Sequence, residues 1–138
     1  MTERATVEPL TSHNDARGLV VEPLRPDEFP SQRNAHLVLT APGAIRGNHY
    51  HRVGTEVALI VGPALVRIRD ADGLHDHSLA TGQTTRFTFP PGVPHAMLNT
   101  GDVPLVILSF NTEPHDPSRP DVVREVLIEA GSLENNGR

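Results

Sequence analysis

Four side chains in this sequence have the chemistry of a divalent-metal site: His49, His51, Glu56 and His95. His49 and His51 stand two apart in a stretch, GNHYH, that reads as a β-strand. The strand period of two sends both imidazoles to the same face. Glu56 follows after one turn, at the start of the next expected strand, where its carboxylate can come beside them. His95 arrives much later, just after the turn-forming Pro90–Pro91–Gly92. Three imidazoles and one carboxylate make a mixed nitrogen and oxygen donor set, suited to Zn, Fe, Mn, Ni or Cu. His49 and His51 taken alone leave two chemistries open, metal ligation and an acid/base couple acting on a substrate.

Holding such residues together requires a frame of short strands, and the chain supplies the punctuation for one. Its 13 Pro and 11 Gly are spread along 138 residues rather than clustered, as expected of turns between many strands. AlaLeuValArgIleArg at 64–69 alternates cleanly, AspAlaAspGly at 70–73 is a hairpin turn, and 75–80 returns as its partner. Further strands are expected over 36–40, 85–89, 95–99 and the apolar 104–110, with a loop at 25–30. Residues 122–130 suit two readings: a helix opened by Ser118 and Pro120 and closed by Gly131, or a strand, given their β-branched residues. Without any βα alternation, the pattern predicts one all-β domain, a sandwich or barrel, over 15–130. A loose polar arm is expected over 1–14 and a frayed tail over 131–138.

Composition narrows the function. With no Cys, disulfides and thiolate metal sites are excluded, and His and carboxylates are left as the strong ligands. A net charge of -5, one Tyr and no Trp argue against nucleic-acid binding. The N-terminal MTERATVEPL carries no apolar leader segment, and no apolar run is long enough to span a bilayer, so a cytoplasmic protein with no membrane partner is expected.

The wider spacing carries a resemblance. Gly43 stands six residues before His49, followed by His51, Glu56 and Gly62; later come Pro90, Gly92, His95 and Asn99. In this the sequence resembles the cupin superfamily, GAIRGNHYHRVGTEVALIVG looking like its first motif and PPGVPHAMLN like its second. One departure is the opening Gly of the second motif, Gly82, which lies two residues further from Pro90 than is usual. The resemblance implies a small antiparallel jelly-roll β-barrel whose metal ligands fall on His49, His51, Glu56 and His95. Within the superfamily, RGNHYH at 46–51, ValArgIleArg at 66–69, PPGVPH and HDPSRPD at 115–121 are most similar to the cupin domains of capsular polysaccharide assembling proteins. His115 departs from that pattern, where an apolar residue is usual. This family implies one bound zinc, with Fe, Mn or Ni as alternatives, and isomerisation or epimerisation beside the ketone of a nucleotide-linked ketosugar. It also implies a small-molecule substrate and a homodimer. An iron- or nickel-dependent dioxygenase acting on a small molecule and a non-catalytic small-molecule-binding cupin are the competing readings.

If the histidines are ligands, the base must be another group, and Tyr50 or a hydroxide held by the metal is the candidate. Arg46 is a candidate for holding a substrate carbonyl or anion. Arg67 and Arg69 share one strand face and, if inward, would meet a diphosphate. Met97, on the face of His95, is expected to line the pocket. His75 and His77 read as an exposed hairpin, and His13, His36 and His115 as ordinary surface residues.

Overall fold

The computed structural model describes residues 3–131. The expected tail beyond Gly131 lies outside the described residues. Twelve strands are formed among them: β1 (Thr6–Pro9), β2 (His13–Asp15), β3 (Gly18–Val20), β4 (Asn34–Thr40), β5 (Ile45–His51), β6 (Glu56–Val61), β7 (Ala64–Asp70), β8 (Gly73–Leu79), β9 (Thr84–Phe89), β10 (His95–Leu98), β11 (Leu105–Asn111) and β12 (Val122–Arg124). One sheet runs β1-β9-β6-β11-β4 and a second β12-β5-β10-β7-β8, while β2 and β3 form a separate hairpin. All pairings are antiparallel. The two sheets face each other without closing into one barrel, which gives a jelly-roll-like sandwich.

Alternation decides which side chains meet between the sheets. On β7, Ala64, Val66 and Ile68 are buried while Leu65 and Arg67 are half-covered and Arg69 is exposed. The core gathers Ala58 and Ile60 of β6, Val66 and Ile68 of β7, Phe87 and Phe89 of β9, Met97 of β10 and Ile107 of β11. Fully burying each large apolar side chain contributes about 1.5–3 kcal/mol. A smaller cluster lies on the outer side of the second sheet, where Ile128 covers Ala96 and Leu98.

Two expectations change, and one open reading is decided. The N-terminal stretch expected to be loose contains β1, which pairs with β9 and packs Ala5 and Val7 against the core. Its alternation lets it cover what would otherwise be a bare sheet edge. Most of the loop expected over 25–30 belongs to a short 3-10 helix, Pro26–Ser31. Residues 122–130 form no helix: β12 pairs with β5, and the backbone that follows is claimed by the side chain of Asn48. No helix among the described residues is long and apolar enough to cross a membrane.

Candidate metal centre

A bulge in β5 sets the orientation of the first two histidines. Gly47 (φ 81) and Asn48 (φ 54) both adopt the left-handed region in mid-strand. Opposite them the β10 register slips, so that His95 faces His49 while Ala96 faces Gly47, leaving Asn48 as the extra residue. Glycine is required at 47, because a Cβ there would lie 2.7 Å from the His95 carbonyl oxygen. Asn48 tolerates the left-handed conformation better than most residues and turns its side chain outward. There its Nδ2 donates to the Ile128 carbonyl at 2.9 Å, and its Oδ1 accepts from Leu127 N at 2.9 Å and Ile128 N at 3.1 Å. Beyond the bulge, His49 and His51 point between the sheets, and Tyr50 points away.

The turn into β6 is tied down as firmly. Val53 N and Gly54 N donate to the Asp121 carboxylate at 2.8 and 2.9 Å, and Thr55 N donates to Thr112 Oγ1 at 3.0 Å. Any side chain at 54 would collide with Asn111. This fixes Glu56 as the first residue of β6, between Phe89 and Asn111 on the neighbouring strands.

The four side chains thus converge from both sheets, and one potential ligand atom of each lies within 4.8 Å of all the others. Among the described residues no other cluster of His, Asp or Glu can hold a metal ion in this way. The ring centroids of His49 and His51 are 5.1 Å apart, and those of His49 and His95 4.9 Å. His51 Nε2 lies 3.2 Å from Glu56 Oε1, and His95 Nε2 3.7 Å from the same oxygen. His95 is fully buried and stacks on Phe89, with centroids 3.8 Å apart and planes 3° from parallel. Its Nδ1 faces the Val93 carbonyl oxygen at 3.0 Å. A carbonyl only accepts, so Nδ1 must carry the hydrogen, and the neutral ring presents a lone pair at Nε2. That Nε2 is buried and has no hydrogen-bond partner. An orphaned buried acceptor, beside two more imidazoles and a carboxylate, is the condition a metal ion would relieve.

The electrostatics suit the same role. Burial first, and then the neighbouring His95 and His51, push the His49 imidazole down to about 4, against the opposing pull of Glu56. It is therefore neutral, with a free lone pair, at pH 7. Burial works against the charged form of Glu56, yet the imidazoles of His51 and His95 hold it well below the ordinary carboxylate range. Three imidazoles and one carboxylate within 4.8 Å of one another make the mixed nitrogen and oxygen donor set that a divalent ion takes.

Above the cluster opens a cleft of about 300 Å³, lined by His49, His51 and Glu56 at its base. Asn34 and His36 of β4, Asn111 of β11 and the loop from Glu113 to Asp121, including His115, form its walls. His36 and His115, read as ordinary surface residues, are thus cleft residues. Four other expectations need correction. Arg67 and Arg69 lie on the outer face of β7, because Val66 and Ile68 take the inner one. Arg67 forms a two-point ion pair with Asp76 at 2.7 and 2.9 Å, and Arg69 pairs with Glu125 at 2.9 Å. Met97 faces inward but is packed into the core and does not line the cleft. Tyr50 and Arg46 do not line it either. Arg46 bridges the seam between the sheets, donating to the Leu39 carbonyl at 3.1 Å and to Thr40 Oγ1 at 3.3 Å. Rather than being fully exposed, His75 and His77 are half-buried, and His75 Nε2 contacts the buried Asp70 carboxylate at 3.0 Å.

A family model described as the polysaccharide biosynthesis C-terminal domain matches residues 13–123. No curated protein matches the chain. Among solved structures, the chain is similar to the dTDP sugar isomerase of Desulfovibrio desulfuricans G20, with a TM-score of 0.76 and 17% identity over 99% of this chain and 97% of that one. It is similar to QdtA, a sugar 3,4-ketoisomerase from Thermoanaerobacterium thermosaccharolyticum in complex with TDP, with a TM-score of 0.67 and 17% identity over 88% of each chain. It is also similar to the capsular polysaccharide assembling protein CapF of Staphylococcus aureus, with a TM-score of 0.63 and 24% identity. That match covers 86% of this chain but only 33% of CapF, so the chain spans one third of that protein. These likenesses establish the fold.

Proposed function

The chain belongs to the polysaccharide biosynthesis C-terminal domain family, and from that premise we propose that it is a metal-dependent cupin isomerase or epimerase acting beside the ketone of a nucleotide-linked ketosugar. One observation carries the metal part of this reading: the buried, unpartnered Nε2 of His95 aimed at the Glu56 carboxylate, with His49 and His51 beside it. Zinc suits a compact set of three imidazoles and one carboxylate. The fold it shares with a dTDP sugar isomerase and a sugar 3,4-ketoisomerase supports the choice of reaction.

When bound, a divalent ion here would polarise a carbonyl oxygen and stabilise the enolate that forms when the neighbouring proton leaves. The chain's own residues do the rest. Phe89 and Val93 fix the ring of His95, and the bulge at Gly47–Asn48 aims His49 and His51. Asn34 and Asn111 offer polar groups at the cleft for sugar hydroxyls. His36 and His115, both at the cleft, take over the proton-transfer role first considered for Tyr50, since imidazole is the side chain suited to that task near neutral pH. We place the protein in the cytoplasm. Leu37 and Leu39 on edge strand β4, 64% and 59% exposed, with Val106 beside them, support a homodimer formed through this face.

Two measurements test the proposal. Metal analysis of protein purified without added metal is expected to find about one zinc per chain, and His95→Ala is expected to abolish it. Nuclear magnetic resonance in D2O is expected to show deuterium entering beside the ketone of a dTDP- or UDP-4-ketohexose. No exchange across a panel of such sugars, or stoichiometric redox-active iron in place of zinc, would sink the isomerase reading. Metal retained after His95→Ala would sink the ligand assignment.

A further inference from the structure

We propose that Asp121 is a positioning residue for His51, holding that ring with its hydrogen on Nδ1 and its Nε2 turned toward the metal site. The inference rests on the metal reading of the four-residue cluster. Asp121 is the last residue of the HDPSRPD segment, which the ligand set leaves without a role. It sits just before β12, and the pairing of Val122 with His51 brings it alongside that ring. Its Oδ2 lies 3.7 Å from His51 Nδ1, while Nε2 of the same ring lies 3.2 Å from Glu56 Oε1. His51 is therefore flanked by two carboxylates, one inside the cluster and one behind it.

The outer carboxylate is not free to swing away. Val53 N and Gly54 N donate to its two oxygens, and its backbone carbonyl accepts from Arg52 N at 2.8 Å. Its side chain is 19% exposed. At 3.7 Å the contact with Nδ1 is a charge interaction, not a hydrogen bond. Without a metal ion the 3.2 Å contact with Glu56 draws the hydrogen to Nε2; with an ion taking the Nε2 lone pair and offsetting the Glu56 charge, the fixed negative charge of Asp121 on the other side would hold the hydrogen on Nδ1. The Val93 carbonyl does the same for His95. Two imidazoles of the cluster thus have an oxygen behind them, a hydrogen-bonded backbone carbonyl at His95 and the charge of this aspartate at His51.

A merely structural role, pinning the turn between β5 and β6, is the alternative, and Thr112 separates the two. Its hydroxyl holds Thr55 N in the same turn but does not touch His51. The experiment compares the full chain with Asp121→Asn and Thr112→Val, using Co2+ as the probe and its visible absorption bands as the readout. Asp121→Asn is expected to weaken Co2+ binding about 10–100-fold and to shift the bands. Thr112→Val is expected to lower the thermal midpoint while leaving Co2+ affinity within about twofold, the scatter such a control should show. In the Zn2+-loaded unaltered chain, ¹⁵N spectra are expected to show His51 bound through Nε2 with hydrogen on Nδ1, which keeps the test open if Asp121→Asn fails to fold. Ligation through Nδ1, unchanged Co2+ affinity in Asp121→Asn, or an equal loss in Thr112→Val each overturns the inference alone. No Co2+ uptake by the unaltered chain overturns the metal reading and this inference with it.

Discussion

Replacing Asn48 separates two contributions that the bulge combines. The side chain makes three hydrogen bonds to the backbone of Leu127 and Ile128, two of them in buried surroundings. At about 1 kcal/mol each, their loss costs about 3 kcal/mol. Asn48 also sits at φ 54, where alanine pays roughly 1 kcal/mol that glycine does not. Asn48→Ala is therefore expected to destabilise the metal-free protein by about 4 kcal/mol, and Asn48→Gly by about 3 kcal/mol. Both sums leave out any undocking of Ile128, which is 2% exposed and covers Ala96 and Leu98, so they are lower bounds.

Urea unfolding followed by circular dichroism measures both values, provided the slope of free energy against denaturant stays constant. The consequence for function is as direct as that for stability. Asn48 is the extra residue that turns His49 and His51 inward, so metal affinity is expected to fall more in the alanine variant than in the glycine variant. Loss of less than about 1 kcal/mol in Asn48→Ala would refute the idea that this side chain clasps 127–128, since one hydrogen bond alone is worth that much. Equal losses for alanine and glycine would refute the conformational part.

Two further outcomes follow from the site's surroundings. His49 titrates near 6.5 when unfolded and near 4 in the folded protein, so the unfolded chain binds the extra proton first as pH falls; metal-free stability is expected to drop by about 2 kcal/mol between pH 6.5 and 4. Calorimetry of wild type and His49→Gln checks this, and an undiminished drop in the variant removes His49 as its source. Arg67→Ala and Arg69→Ala are expected to leave metal content and ketosugar exchange unchanged and to cost about 1 kcal/mol or less each, because both pairs lie on the outer face; loss of exchange in either would return that arginine to the substrate site.

The clustering of His49, His51 and Glu56 was legible because it is local: a period of two places His49 with His51, and one short turn brings Glu56 beside them. The face assignments were harder. An alternating strand has two faces, and alternation alone does not say whether Arg67 and Arg69 face inward, toward a diphosphate, or outward. The apolar positions 64, 66 and 68 already marked the inner face, so the outward placement of both arginines was available in the same six residues. The bulge left a weaker mark, a Gly–Asn pair inside a strand, both residues that accept the left-handed region. Nothing local marked the walls of the cleft. Asn111 at the end of β11 pairs with Asn34 on one side and Glu56 on the other, so β11 links the strand carrying His36 to the strand carrying Glu56. Those partners are far apart in the chain, and only the strand order of the sheet brings them together. Residues 113–121 then follow directly from β11 and must pass over the cluster to reach β12 beside His51. That path puts His115 at the cleft and Asp121 behind His51, so the placement of both depends on register across the sandwich.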